Sequence, residues 1–436
     1  MPNSVNLRGP DGPVTARVAL PPGKSLANRA LVLAALAGDL SCVQGAGNAD
    51  DTRILHQLLR ERPHRMHCGD GGTTLRFLLA WACVQQGREH FITGSERLLQ
   101  RPHGPLVQAL RTMGADITQV PPGFLVRGNR LGGGHVVLHA SPSSQFISAL
   151  LLVGATFTQG LELRWTGQRL SEPYVRMTIA LCRHFGIAVR EEGDAITVEA
   201  GTVHPAPYTV PADWSAAAFW YQVAALNPGS SVLLEGLHAD GLQGDEALAT
   251  LLHAHVRTTP VPGGMLLSGI TGPSTPFTAD LRSTPDLFQP LAFLMAALGR
   301  PAAFTGLHNL PLKETDRLKA VAEALEKLGV QSEYQGDRFQ IVPQGPLWET
   351  AEGAMIRSLR GTAEGAMSRS LRETAVGARP VLPPFDPQGD HRMAMALAPL
   401  ALVCREITIL HPEVANKSYP GFWGELERAG FMVQRT

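Results

Sequence analysis

The chain has 436 residues, enough at ~100–200 per domain for two or three domains with substantial cores. Lysine plus arginine and aspartate plus glutamate balance at 38 each, which argues against a general binder of nucleic acid or anionic membranes. Any charged ligand must therefore be held by a local cluster. At 44% hydrophobic and 17% charged the composition is globular rather than disordered, and 45 glycines with 33 prolines point to many turns between short elements.

The N-terminus carries Arg8, Asp11 and Arg17 and lacks the apolar run of a signal peptide. Pro22-Gly23-Lys24-Ser25 then ends like a phosphate-cradling loop, but such a loop needs glycine five positions before Gly23, and that position holds Val18. Ser25 still heads a predicted helix, where anions bind well, and Arg29 lies four residues on, on the same face. His64, His67 and Cys68 have ligand chemistry but no distant second set, so a metal site is not expected. The run from Cys68 to Arg76 is a glycine-rich turn entering an apolar helix, which lets backbone N–H groups approach an anion. Ser143, Ser144 and Gln145 precede another apolar helix and offer two hydroxyls and an amide.

The most apolar stretches, 287–299 and 393–403, fall short of the ~20 residues that cross a bilayer. Farther along, Lys313 and Arg317 stand at i and i+4 with Glu314 beside them, and Asp390-His391-Arg392 opens a strongly apolar helix. Asn416-Lys417-Ser418 precedes the last helix. Together these groups suggest a basic pocket for multiply charged anions, with carboxylates at hand for proton transfer. Residues 350–360 and 362–372 form a near-perfect tandem, TAEGAMIRSLR and TAEGAMSRSLR, read as an insertion over about 346–380 with no catalytic role. The five cysteines are scattered, odd in number and without a C-x-x-C, as for reduced thiols in a cytoplasmic protein.

One pattern recurs: a helix-period segment, a helix-stopping glycine, then a β-branched strand. It ends at Gly114, Gly186, Gly329 and Gly430. The first interval is about seventy residues and the second nearly twice that, so a middle copy belongs near residue 258. Residues 247–254 supply it, with His255 replacing the glycine. A degenerate first copy falls at 54–60. Six α/β units of roughly seventy residues point to duplicated domains of mixed α/β (α+β) class.

Taken in order, these segments resemble the enolpyruvyl transferase family of 5-enolpyruvylshikimate-3-phosphate synthases. The match runs from Pro-Gly-Lys-Ser-x-x-x-Arg at 22–29 to Lys-Ser-Tyr-Pro at 417–420. Between them come Asp50-Asp51-Thr52-Arg53, the glycine-rich turn, Arg101-Pro102, Ser143-Ser144-Gln145, Ser171-Glu172-Pro173-Tyr174 and Asp213-Trp214-Ser215-Ala216. Gln243-Gly244-Asp245, Pro285-Asp286, Lys-Glu-Thr-Asp-Arg-Leu at 313–318 and Asp-His-Arg-Met-Ala-Met at 390–395 follow. The last two hexapeptides are the most specific.

The resemblance implies two lobes, each of three βαβαββ units, with the active site in the cleft between them. The chain is expected to cross near Pro21 and return near Gly241, giving one lobe of 1–21 plus 241–436 and another of 22–240. A monomer suffices for such a cleft. The implied reaction joins shikimate 3-phosphate and phosphoenolpyruvate and releases phosphate, with no metal or other cofactor.

Carried over residue by residue, Asp286, Glu314 and Lys24 are the expected catalytic groups. Lys24, Ser25, Arg29, Ser143, Ser144, Gln145, Ser171, Tyr174, Asp286, Asn309 and Lys313 are the expected contacts to shikimate 3-phosphate. Lys24, Gly72, Arg101, Gln145, Arg317, Arg392 and Lys417 are those to phosphoenolpyruvate. Three positions depart from the family pattern: Gly23 stands for Ser, and Asp70-Gly71 for Asn-Ala. Asp70 adds a negative charge beside an anion pocket. The related transferase acting on UDP-N-acetylglucosamine typically has a Cys near 99–101, where this chain has none, and lacks the Ser-Ser-Gln site. A silent anion-binding homologue is the other alternative.

Overall fold

The computed structural model describes residues 3–140, 143–342, 345, 347, 382–404 and 406–436. The tandem at 350–372 lies outside the described residues. Four sheets repeat one plan, shown by the strands Arg65–His67, Glu89–Thr93, Asp116–Gln119 and Phe124–Arg127 with the helices Gly72–Cys83 and Gly104–Thr112 between them. The first two strands pair in parallel, and the closing hairpin folds back antiparallel onto the second. This is the βαβαββ unit. The helix-stopping glycines do what their spacing implied: Gly114, Gly186, Gly329 and Gly430 have φ of 97°, 79°, 73° and 91°, the left-handed region where a side chain is strained. His255, the substitute in the middle copy, is not among the residues with positive φ.

Two units depart from the plan. The helix Asp50–Glu61 is followed by Arg65–His67 as expected, but that strand opens the next sheet. Among the described residues, the unit to which this helix belongs has only the parallel pair Val43–Gln44 and Tyr208–Thr209. At the other end, Ile407–Leu410 and Met432–Arg435 flank Ser4–Arg8, so the N-terminal strand completes the last unit. One lobe is thus discontinuous because its two chain ends share a sheet.

The buried apolar side chains form two cores. One holds Leu26 to Val210; the other holds Val5 to Val18 and everything from Trp214 on. The chain passes from one core to the other at Pro21–Gly23. Its return lies at 211–213 and not near Gly241. The segment 214–240 therefore belongs with the lobe formed by the two ends. Packing decides this. The helix Trp214–Leu226 buries Trp214, Phe219, Trp220 and Tyr221 among residues of that lobe. Aromatic side chains of ~150–250 Å² at ~25 cal/mol per Å² contribute roughly 4–6 kcal/mol each before entropy is counted. The next strand, Ser231–Glu235, lies parallel to Thr15–Ala19. The two crossings pair: Gly23 donates to the Pro211 carbonyl at 2.8 Å, and Asp213 to that of Pro21 at 2.9 Å.

Among the described residues no helix is long and apolar enough to cross a membrane.

Candidate active site

Five helix N-termini of the 22–210 lobe meet at the cleft. Lys24 is the first residue of the helix Lys24–Ala37, whose N-cap, Gly23, offers no capping side chain. Val18, the residue that breaks the phosphate-loop pattern, is buried in the strand Thr15–Ala19. The Lys24 ammonium meets Asp51 at 2.9 Å, in the first turn of Asp50–Glu61. Gly72 opens Gly72–Cys83. A Cβ there would lie 2.6 Å from Arg101 Nη1, so only glycine lets that guanidinium close over the turn. Ser143 caps Ser144–Gly154 by accepting from the Gln145 amide at 3.3 Å. The Gln145 side-chain oxygen accepts from Arg76 at 2.5 Å. Ser171, at φ 57°, starts Glu172–His184.

Arg29 sits one turn inside its helix and is buried. Its Nε donates to Thr178 at 2.7 Å, and its other nitrogens to the Ser25 carbonyl and Ser148. Its guanidinium lies over the Phe77 and Tyr174 rings, 5.3 and 5.9 Å from their centroids. Burial lowers its pKa to about 10, so it stays charged at neutral pH.

The opposite wall is ionic. Arg317 begins the helix Arg317–Lys327, capped by Asp316, and its guanidinium is shared among three carboxylates. It reaches Asp286 and Asp390 at 2.7 Å each and Glu314 at 3.2 Å. Asp286 also meets Arg392 at 3.0 Å, Lys313 at 3.7 Å and, from the other lobe, the Tyr174 hydroxyl at 3.1 Å. Glu314 pairs with Lys417 at 3.0 Å. Burial pushes the Asp286 carboxyl up, but Arg392, Lys313 and Arg317 together hold it well below the usual range. Burial likewise opposes ionisation of Glu314, and Lys417, Arg317 and Arg101 outweigh it. Both acids are carboxylates in this state. Burial keeps the Tyr174 phenol protonated.

The lobes touch across the cleft. Besides the Tyr174–Asp286 bond, the Asn309 amide donates to Ser171 Oγ at 3.3 Å and Lys417 to the Asp70 carbonyl at 3.1 Å. Asp70 is exposed and outside the cleft lining, so its backbone, not its charge, enters the site. His64 pairs with Glu89, and His67 accepts from the Gly69 amide; the two histidines share no partner here.

Every sequence-predicted site residue except Lys417 lines this one cleft, and Lys417 reaches it through Glu314. Seven cations face three carboxylates there in a chain of zero net charge, the local cluster that the composition demanded. Sequence reasoning gave no role to Asp51, Thr73, Arg76, Pro102, Leu312 and His391, which also line it. Asp51, Thr73, Arg76, Pro102 and His391 lay inside segments singled out for other reasons. His391 is buried, both ring nitrogens lack a hydrogen-bond partner, and burial followed by the Lys24 charge holds its pKa well below the usual value.

The EPSP synthase family, described as 3-phosphoshikimate 1-carboxyvinyltransferase, matches residues 9–62, 61–361 and 384–426. The gap takes in the second tandem copy, 362–372. A 3-phosphoshikimate 1-carboxyvinyltransferase of Bacteroides fragilis is 35% identical over 427 residues, 97% of each chain. One from Methanospirillum hungatei is 31% identical over 96% of each. Among solved structures, EPSP synthase from Acinetobacter baumannii superposes with a TM-score of 0.75 at 22% identity, covering 100% of both chains. The enolpyruvyl transferase NikO from Streptomyces tendae gives 0.69 at 15% identity, over 100% of this chain and 99% of the other. The latter two likenesses bear on the fold: a two-domain enolpyruvyl transferase. With the family pattern matched over nearly the whole length, the chain belongs to the EPSP synthase family.

Proposed function

We infer that the protein transfers the enolpyruvyl group of phosphoenolpyruvate to the 5-hydroxyl of shikimate 3-phosphate, releasing phosphate, as a cytoplasmic monomer. The observation that carries this reading is the pairing of two walls. One presents hydroxyls, an amide and Arg29 on helix N-termini; the other presents two ionised carboxylates embedded in arginine and lysine. Ser25, Ser143, Ser144, Gln145 and Ser171 of the first supply hydrogen bonds to the shikimate ring and its phosphate, Lys24 and Arg29 answer charge, and Asn309 and Lys313 reach in from the second. Lys24, Gly72, Arg101, Gln145, Arg317, Arg392 and Lys417 receive the phosphate and carboxylate of phosphoenolpyruvate.

The chemistry follows from the charges. Asp286 is ionised and so able to take the 5-hydroxyl proton as oxygen attacks C2. A proton must reach C3 in the same step, giving a tetrahedral intermediate. Glu314 handles it. Anionic substrates beside Glu314 raise its pKa against the pull of Lys417, Arg317 and Arg101, which lets it carry a proton. Removal of the C3 proton, with cleavage of the C2–O bond to phosphate, completes the transfer. Lys24 and Lys417 neutralise the charge that builds on the departing group.

Phosphate release with phosphoenolpyruvate and shikimate 3-phosphate, in EDTA, tests the reading against UDP-N-acetylglucosamine as alternative acceptor. Release with shikimate 3-phosphate alone is expected. Release only with the nucleotide sugar, or with neither acceptor, overturns it.

A further inference from the structure

Glu96–Gln100 is a single turn of helix at the lip of the cleft. The Ser95 hydroxyl caps it at the Leu98 amide. Leu98 is buried in the core of the 22–210 lobe, and its carbonyl bonds to the buried His103 ring at 2.9 Å, so the turn has a fixed seat. Arg97 projects the other way, exposed, and crosses to the opposite lobe. Its Nε donates to the Glu314 carbonyl at 3.0 Å and its Nη2 to the Lys313 carbonyl at 3.1 Å. Four residues on, Arg101 Nε donates to the Leu312 carbonyl at 3.2 Å. Two arginines one helical turn apart thus grip three consecutive carbonyls.

We propose that Arg97 is a positioning residue, a clamp that reaches across the closed cleft and fixes the backbone from which Lys313 and Glu314 project. Lys313 and Glu314 lie between the short turn Leu310–Leu312 and the helix Arg317–Lys327; the Lys313 amide bonds back to the Leu310 carbonyl at 3.3 Å, but the two carbonyls that Arg97 grips lie outside both helices. Glu314 meets Lys417 at 3.0 Å and Arg317 at 3.2 Å, distances that a backbone drift of one ångström would spoil. Arg97 itself is absent from the cleft lining and touches no position where substrate would sit. The planar fork of arginine suits two adjacent oxygens, whereas lysine offers a point donor. Because donor and acceptors lie on lobes with separate cores, the grip exists only while the cleft is closed. Closure and alignment of Glu314 then become one event.

The proposal rests on the reaction proposed above, which assigns Glu314 its work. Phosphate release is measured for wild type, Arg97→Ala and Arg97→Lys, with shikimate 3-phosphate affinity by calorimetry and backbone amide exchange across 312–316. Arg97→Ala is expected to lower kcat about tenfold, with the shikimate 3-phosphate Kd within about threefold and the melting temperature within about 2 °C. Arg97→Lys falls between, and exchange at 312–316 quickens in Arg97→Ala. A kcat for Arg97→Ala within twofold of an active wild type overturns the clamp and leaves the reaction standing. A silent wild type overturns the reaction, and the exchange rates then decide the clamp alone: equal rates in the two proteins refute it.

Discussion

On the wall contributed by residues 22–210, Arg29 is held by neutral partners, Thr178, Ser148 and the Ser25 carbonyl, with the Phe77 and Tyr174 rings beside it. On the facing wall Arg317 is held by charge alone, shared by Asp286, Glu314 and Asp390. The first arrangement leaves the cation's charge uncompensated and the geometry fixed, which suits recognition of an anion that does not change during reaction. The second cancels charge locally, so groups that gain or lose protons sit in a field that a bound anion can retune. Rigid recognition and adjustable proton affinity are therefore kept on opposite lobes and face one another across the cleft.

The largest expected effect comes from the ionic wall. Asp286→Ala should lower kcat by about a thousandfold, within the ~10²–10⁴ range for loss of a general base, while calorimetry still detects shikimate 3-phosphate binding. Arg317, Arg392 and Lys313 lose a shared counter-charge in that variant, but the incoming anions replace part of it. Near-normal turnover would remove Asp286 from the acid–base role and collapse the contrast between the walls.

The recognition wall predicts a different signature. Thr178→Val removes the acceptor for Arg29 Nε without entering the cleft lining. A lost hydrogen bond to a buried charge shifts binding roughly tenfold. The KM for shikimate 3-phosphate should rise by about that factor, with kcat within about threefold and the KM for phosphoenolpyruvate steady. Steady-state kinetics with each substrate varied checks it; a fall confined to kcat would mean that Arg29 serves the chemistry instead.

How far the sequence exposes this division depends on the kind of signal. Gly114, Gly186, Gly329 and Gly430 were legible because a left-handed helix end needs glycine whatever surrounds it. The return crossing was not. The helix Trp214–Leu226 is buried on nearly every side, and an apolar helix reads alike in either lobe. Its packing partners and the parallel pairing of Ser231–Glu235 with Thr15–Ala19, some two hundred residues apart, assign it, and neither is local. Lys313, Glu314 and Arg317, taken with 390–392 and 416–418, already point to a basic pocket with carboxylates at hand, but their individual roles came only through the resemblance. Arg76 shows what stays hidden. Its partner Gln145 is 69 residues away, and nothing local marks a buried arginine from an exposed one.

The smallest effect tests whether cations, rather than burial, set the protonation of the ionic wall. Asp245 is buried and belongs to the same lobe as the half-buried Asp286, and its pKa is raised to about 6. Burial is the main cause and the Asp286 charge the next, while Arg392 and the Ser215 hydroxyl only partly oppose them. The two acids must then act on stability with opposite sign. Asp286 and Glu314, held well below their ordinary values of 3.8 and 4.5, stabilise the fold fully above those values, and the contribution fades as pH falls toward their folded pKa. Asp245 binds its proton more tightly when folded, so stability falls as pH rises from 3.8 to about 6 and stays lower above. Asp245→Asn cannot titrate. Its melting temperature relative to wild type should therefore climb by roughly 2 °C between pH 4 and pH 7, with the other titrating groups common to both proteins. A difference that is flat across that range would mean that Asp245 is ionised in the fold at all these pH values, and that burial weighs less here than the cations beside Asp286.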